Sequence, residues 1–292
     1  MGLAWMFETM ERANDRQVER DAAAEGMVAP GLGVAGGTHR PWSKPRGPWV
    51  MRMSWEKLLF AHWRVDAGAL RRLIPEGLEL DTFDGEAWVG VVPFLMSGVR
   101  PRCLPGVPGA SRFPELNVRT YVRHGGKPGV WFLSLDAASR LAVVGGRMGF
   151  HLNYQNAEMR CEVGADGWVE YESERLGDAG RGSIWRAAGR GGVDRGGVAG
   201  FAGRYRGVGE GFAARVGTLE HWLTERYCLY AADGDGRLYR GEIDHEPWAL
   251  RRAEAEIGVN TMGGVCGLRF EGEPHVLYAE RIDVVAWLAE RV

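Results

Sequence analysis

Glutamate, asparagine, arginine and tyrosine recur at every second position in FPELNVRTYVRH, residues 113–124. Side chains of an extended strand alternate between its two faces. Asn117, Arg119, Tyr121 and Arg123 therefore share one face, and Leu116, Val118 and Val122 share the other. An arginine fork beside an amide and a phenol suits the capture of a small anion or carbonyl compound. Guanidinium N–H groups meet carboxylate oxygens in pairs, and a few convergent polar groups fix a ligand's orientation in a pocket. The pattern leaves two placements open: an enclosed interior, where the polar face would bind, or water, where a half-buried strand ordinarily turns its hydrophilic side.

Other residues could also do chemistry. His62 and Arg64 flank Trp63 in LLFAHWRV, and a histidine there is either a satisfied interior residue or a group that binds or moves a proton. In GTLEHWLTERYCLY, residues 217–230, a helix from Thr218 would stack Leu219, Trp222, Leu223 and Arg226 in one stripe and set His221 one turn before Glu225. That His–Glu pair could hold a proton or half a metal site. The reading adopted is structural, with Glu225 and Arg226 partly buried and paired and no metal, because losing one partner of a buried ion pair costs roughly 3–5 kcal/mol. Asp136 and Arg147 bracket a short helix expected over residues 138–146, and Arg147 is kept among the candidate ligand contacts. Hydrolase, nucleotide and metal signatures fail on spacing. Ser134 and Ser139 lack G-x-S-x-G, GVGEGF at 207–212 departs from G-x-G-x-x-G, DGDG at 233–236 is a turn, and His245-Glu246 lacks the second histidine of a zinc protease.

The elements that must position these residues are mostly strands. Residues 1–48 are expected to be an N-terminal extension, with an amphipathic helix over 5–25 and a Gly- and Pro-punctuated linker, and 49–292 a single domain. Leu58–Val65 should be a strand, followed by a helix capped by Asp66 and reaching Leu73. Asp84-Gly85 predicts a hairpin between Leu78–Phe83 and Ala87–Met96. Two more are predicted, LNVRTYVRH with VWFLSLDA and AEMRCEV with WVEYESE. Residues 177–216, rich in glycine, are expected to form a long loop or lid. So many hairpins with so few helices suggest an antiparallel barrel or sandwich carrying a few helices.

Composition narrows the partners. The 292 residues carry 36 basic and 38 acidic side chains, interspersed, for a net charge of −2. No electrostatic footprint for nucleic acid or an anionic membrane results. Cys103, Cys161, Cys228 and Cys266 lie far apart without C-x-x-C, as reduced thiols would. No apolar run approaches the roughly 20 residues of a membrane helix, and the N-terminus lacks a signal peptide's charged start and apolar core. A soluble cytoplasmic protein with a small-molecule ligand and no cofactor is expected.

Three stretches carry a resemblance: WEKLLFAHWRVDAGALRRLIPEGLELDTFDGEAWVGVVPF, FPELNVRTYVRHGGKPGVWFLSLDA, and GTLEHWLTERYCLY with HEPWALRRAEAEI. Together they resemble the YqjF-like family of uncharacterised bacterial proteins, in the acetoacetate decarboxylase-like superfamily, from about Trp49 to Val292. The resemblance implies an α+β fold that is mainly antiparallel β, a closed β-barrel-like domain with a few appended helices and a central pocket. It also makes a homo-oligomer plausible. It supplies no reaction.

Acetoacetate decarboxylases use a lysine that forms a Schiff base, its amine kept neutral by a neighbouring cation and an apolar site. The segment before that lysine resembles GGRMGFHLNY, residues 145–154, and here Asn153, Tyr154 and Gln155 stand where an amine would be needed. The chain's lysines are Lys44, Lys57 and Lys127, expected in a linker, at a strand's start and in a turn. FPELNVRTYV resembles the segment carrying the decarboxylases' pocket glutamate, which maps onto Glu115. Glu115 thereby becomes a candidate acid or base and Arg119 an anion clamp, with Asn117, Tyr121, His62 and Arg147 as further contacts. Two functions follow: an enzyme acting on a small carbonyl or carboxylate compound without a covalent amine step, or a non-catalytic module binding a small metabolite. A glutamate desolvated in an enclosed cavity favours the first.

Overall fold

Runs dense in β-branched and aromatic residues suit a pleated surface, and most of the chain follows that preference. The structure is a computed structural model describing residues 39–106, 111–139, 151–176 and 199–292. Its strands are β1 (Met51–Val65), β2 (Glu79–Leu80), β3 (Ala87–Pro101), β4 (Phe113–His124), β5 (Lys127–Ala137), β6 (Tyr154–Val163), β7 (Val169–Arg175), β8 (Gly200–Phe212), β9 (Cys228–Ala232), β10 (Leu238–Asp244), β11 (Leu250–Asn260), β12 (His275–Ala286) and β13 (Glu290–Arg291). They join one sheet in the order β13-β10-β9-β5-β6-β7-β8-β11-β12-β1-β3-β4-β2. Further pairings of β4 with β5 and of β10 with β12 bring the ladder back on itself. All pairings are antiparallel except those of β5 with β6 and with β9. Short helices at Ala67–Arg71 and Leu219–Thr224 and a 3-10 turn at Met262–Cys266 complete the described elements.

Local sequence chemistry explains much of this. Asp66 caps its helix by accepting from the Ala69 N–H at 2.7 Å, which satisfies one of the orphan donors of the first turn. β4 and β5 form the expected hairpin across Gly125-Gly126, and β6 and β7 form the other. Asp84-Gly85 does make a tight turn, closing Phe83 against Glu86. The hairpin predicted around it does not extend. Both edges of β3 are occupied by β1 and β4, so the upstream segment supplies β2, which pairs with Arg123 and Val122 of β4 instead.

One expectation is corrected outright. Residues 200–212, assigned to a glycine-rich loop over 177–216, are strand β8 between β7 and β11. Two of their glycines answer to packing: a Cβ would stand 2.9 Å from the Glu256 carbonyl at Gly203 and 2.4 Å from the Tyr278 ring at Gly207. Phe201 and Tyr205 are buried while Arg204 and Arg206 pair outward with Glu256 and Glu254, an alternation hidden by the glycines between them. The rest of that loop, the helix expected over 138–146 with Arg147, and the helix expected over 5–25 lie outside the described residues.

Residues 39–48, upstream of the boundary placed at Trp49, lie against the sheet. Arg40 is buried, donates from Nη2 to Glu242 at 2.7 Å, and stands over the Tyr227 ring. Trp42 donates to the same carboxylate at 2.7 Å, and Trp287 donates to the Gly47 carbonyl at 2.7 Å. Among the described residues no helix is long and apolar enough to cross a membrane.

Candidate functional site

Strand β4 is covered on both faces. Leu116, Val118 and Val122 enter an apolar cluster with Val91, Tyr171, Phe201 and Tyr205. On the opposite face Glu115 is flanked by Phe94 and Ala137, and Asn117 by Val92 and Leu135. Those four neighbours belong to a second cluster with Phe60, Trp248, Leu250 and Leu277. Glu115, Asn117, Arg119 and Tyr121 are accordingly 3, 5, 8 and 0% exposed. Of the two placements left open by the pattern, Glu115, Asn117, Arg119 and Tyr121 have the interior one, while Arg123 at the end of the same face is exposed. Burying each of the three aliphatic residues opposite contributes about 1.5–3 kcal/mol, enough together to offset the several kcal/mol that a buried ion costs.

At one end of this face, Glu115 accepts from the Tyr154 hydroxyl at 3.0 Å. Burial raises the Glu115 carboxyl from an ordinary 4.5 to about 8, against the opposing effect of the Tyr154 hydrogen bond. Burial, then the Glu115 charge and the shared hydrogen bond, push the Tyr154 hydroxyl well above its usual range. At neutral pH the pair is a protonated acid and a phenol. One carboxyl oxygen is engaged by Tyr154, which leaves the acid proton on the other.

The other end is built on the helix Leu219–Thr224. Thr218 caps it, and its final turn exposes the Leu223 carbonyl, one of the acceptors that helix geometry leaves free. Arg119 Nη2 donates to that oxygen at 3.2 Å and Tyr121 at 3.0 Å. With the Tyr121 proton so committed, His62 Nε2, 2.6 Å from the phenol oxygen, donates to it. Burial first, then Arg119 and His275, hold the His62 imidazole well below its ordinary range, in the neutral form. The His62 ring reaches Tyr121 across β3 because residue 90 is glycine; a Cβ there would lie 2.7 Å from Nε2.

Arg226 lies alongside, buried over Tyr121 at 4.8 Å and Trp222 at 4.6 Å. Its Nη1 donates to Asp81 at 2.8 Å, and Arg123 Nε takes the other Asp81 oxygen at 2.7 Å. One carboxylate thus serves two arginines. Arg119 has no carboxylate partner among the described residues; its Nε is buried without a hydrogen bond, and its guanidinium stands 5.4 Å over Phe60. Asn117 Oδ1, His62 Nδ1 and Trp248 Nε1 are also buried without partners.

The structure therefore gathers Glu115, Asn117, Arg119, Tyr121 and His62 around one strand face, while Arg147 lies outside the described residues. The expected pairing of Glu225 with Arg226 is corrected. Arg226 turns to Asp81, while Glu225 accepts from the Trp248 N–H at 3.0 Å and from the Tyr227 hydroxyl. The three lysines pair elsewhere: Lys44 with Asp244, Lys57 with Glu280 and Lys127 with Glu242. Ser134 and Asp136 are engaged by Arg175. Tyr154 as partner of Glu115 was missed, though its position was singled out, because sequence gave no sign of the 39-residue contact. Asp81 and Arg226, 145 residues apart, carried no signal either. A surface cavity of about 390 Å³ lined by Trp131, Leu133, His151, Tyr230, Val265 and Cys266 includes none of the predicted site residues. No group of three or more His, Cys, Asp or Glu that could hold a metal occurs among the described residues.

Comparison with known proteins gives the family and the fold. The family model DUF2071, an uncharacterised conserved protein family, matches residues 52–283. The chain belongs to that family. It is 44% identical over 246 residues to the uncharacterised protein YqjF of Bacillus subtilis, covering 84% of this chain and 93% of that one. Among solved structures, an acetoacetate decarboxylase from Legionella pneumophila aligns with a TM-score of 0.55 at 12% identity, over 87% of this chain and 92% of that one. The enduracididine biosynthesis enzyme MppR, complexed with pyruvate, aligns with the same score at 13% identity, over 87% and 93%. At such identities the likeness to these two shows a shared fold. The family's fold is thus acetoacetate decarboxylase-like, mostly β-sheet with few helices.

Proposed function

We propose that the returning ladder of strands encloses a barrel-like pocket for a small carboxylate that bears a carbonyl group, and that the pocket supports acid–base chemistry without a covalent amine step. The observation carrying this reading is the buried Arg119 guanidinium, with no carboxylate partner among the described residues and on the same strand face as Glu115. An uncompensated buried cation is costly, and an anionic ligand removes that cost. Arg119 Nε then anchors the carboxylate. Glu115, protonated at neutral pH, donates to the carbonyl oxygen as a general acid, while Tyr154 holds its second oxygen. His62 and the Leu223 carbonyl position Tyr121 and Arg119. The carboxylate partner of each lysine, Asp244 for Lys44, Glu280 for Lys57 and Glu242 for Lys127, supports a reading without an imine.

Pyruvate, the molecule bound in the MppR structure, serves as the probe. Isothermal titration is expected to show binding that Arg119→Gln weakens by roughly 10-fold or more, the loss of a charged hydrogen bond. Unchanged affinity in that variant would remove Arg119 from the reading. Proton exchange at the pyruvate methyl group in D2O, in which solvent water takes the methyl proton while Glu115 donates to the carbonyl oxygen, should be lost in Glu115→Gln when followed by NMR. Binding with no exchange in the wild type would leave a ligand-binding module. Borohydride should trap no pyruvate adduct; a trapped adduct identifies an imine and overturns the non-covalent chemistry.

A further inference from the structure

Arg119 Nε and Asn117 Oδ1 are buried, lack hydrogen-bond partners among the described residues, and stand two positions apart on one strand face. They are of opposite polarity. Two buried orphans at adjacent same-face positions, about 6.6–6.8 Å apart along the strand, call for a ligand that both accepts and donates. Each orphan left unmet costs about 1–3 kcal/mol.

Resting on the Arg119 anion site above and independent of its carbonyl reading, we propose that the pocket prefers, over the matching oxo acid, a small aliphatic hydroxycarboxylate, its carboxylate on Arg119 Nε and its hydroxyl donating to Asn117 Oδ1. An oxo acid answers the arginine but offers the amide oxygen no proton. An amino acid would offer one, yet its ammonium would enter beside two guanidinium groups that already share the Tyr121 ring, at 5.8 and 4.8 Å. The neighbouring Phe60, Leu250 and Leu277 are apolar, which suits a short hydrocarbon chain. The keto partner of such an acid differs by two hydrogens only, so Asn117 discriminates within a pair of otherwise matched molecules. Sites built to bond a hydroxyl reject analogues that lack it far more strongly than apolar pockets reject a methylene.

The test titrates the full-length wild-type protein calorimetrically with two matched pairs at neutral pH: lactate against pyruvate, and 3-hydroxybutyrate against acetoacetate. In at least one pair the hydroxy acid is expected to bind about 10-fold tighter. Asn117→Leu, checked for an intact melting transition, should abolish that preference. Equal affinities within both pairs, or a preference for the oxo acids, would overturn the hydroxyl assignment while leaving the anion site standing. Failure of all four acids to bind would retire the anion site as well, with water satisfying both orphans. If the leucine variant does not fold, the wild-type comparison alone decides.

Discussion

At the scale of single residues, burial sets the behaviour of Glu115. Folded, it keeps its proton up to about 8, whereas its ordinary value is 4.5. Between those limits the folded state holds a proton that the unfolded chain has released. The stability associated with protonated Glu115 is therefore full below 4.5 and is lost as pH rises toward 8, at most about 1.4 kcal/mol per pH unit. Glu115→Gln should be close to neutral near pH 4.5 and should gain on the wild type by a few kcal/mol near pH 8; urea unfolding at both pH values measures this, and parallel curves would place Glu115 in contact with water. A second residue-scale expectation concerns Asp81, which both Arg226 and Arg123 contact. Asp81→Ala leaves Arg226 charged and buried, and a loss of roughly 3–5 kcal/mol in the same assay is expected. A loss below 1 kcal/mol would mean that Arg226 finds solvent.

At the scale of elements, the site is a meeting of β4 with the short helix Leu219–Thr224. That helix was suspected of chemistry for its histidine and glutamates, yet its contribution is the Leu223 carbonyl, which holds Arg119 and Tyr121 together. Strand β3 contributes an empty position. With His62 on β1 and Arg119 on β4 both paired to Gly90, any side chain at 90 must displace the imidazole. Gly90→Ala should therefore cost about 1–3 kcal/mol, the usual result of overpacking, and should break the His62–Tyr121 hydrogen bond. The histidine ring signals in NMR report that break directly, and an unchanged spectrum would show that the ring passes elsewhere.

At the scale of the whole molecule, the chain reaches back over its own start. Glu242 of β10 gathers Arg40, Trp42 and Lys127 at 2.7, 2.7 and 3.1 Å, and Arg40 is fully enclosed there. Residues 39–48 act as a strap across the ends of distant strands. Removing residues 1–48 should lower the melting temperature by on the order of 10 °C, from the loss of a buried ion pair in a chain of this size. An unchanged transition would mean that the strap adds nothing. The four cysteines are free in the structure and separated, so this stability does not come from covalent cross-links.

The sequence by itself determined the local layout: the Asp66 cap, the hairpins at Gly125-Gly126 and before Val169, and the segregation of Glu115, Asn117, Arg119 and Tyr121 onto one side of β4. Each depends on neighbours within a few residues, where turn chemistry and period-two alternation act. Tertiary structure alone decided that β8 is a strand, because Gly203 and Gly207 answer to Glu256 and Tyr278, which the sequence places far away. It also decided that the polar side of β4 is buried, that Tyr154 meets Glu115, and that Arg226 rather than Arg119 receives Asp81. Those outcomes depend on which distant strands become adjacent. Alternation divides a strand into two faces without saying what covers either one.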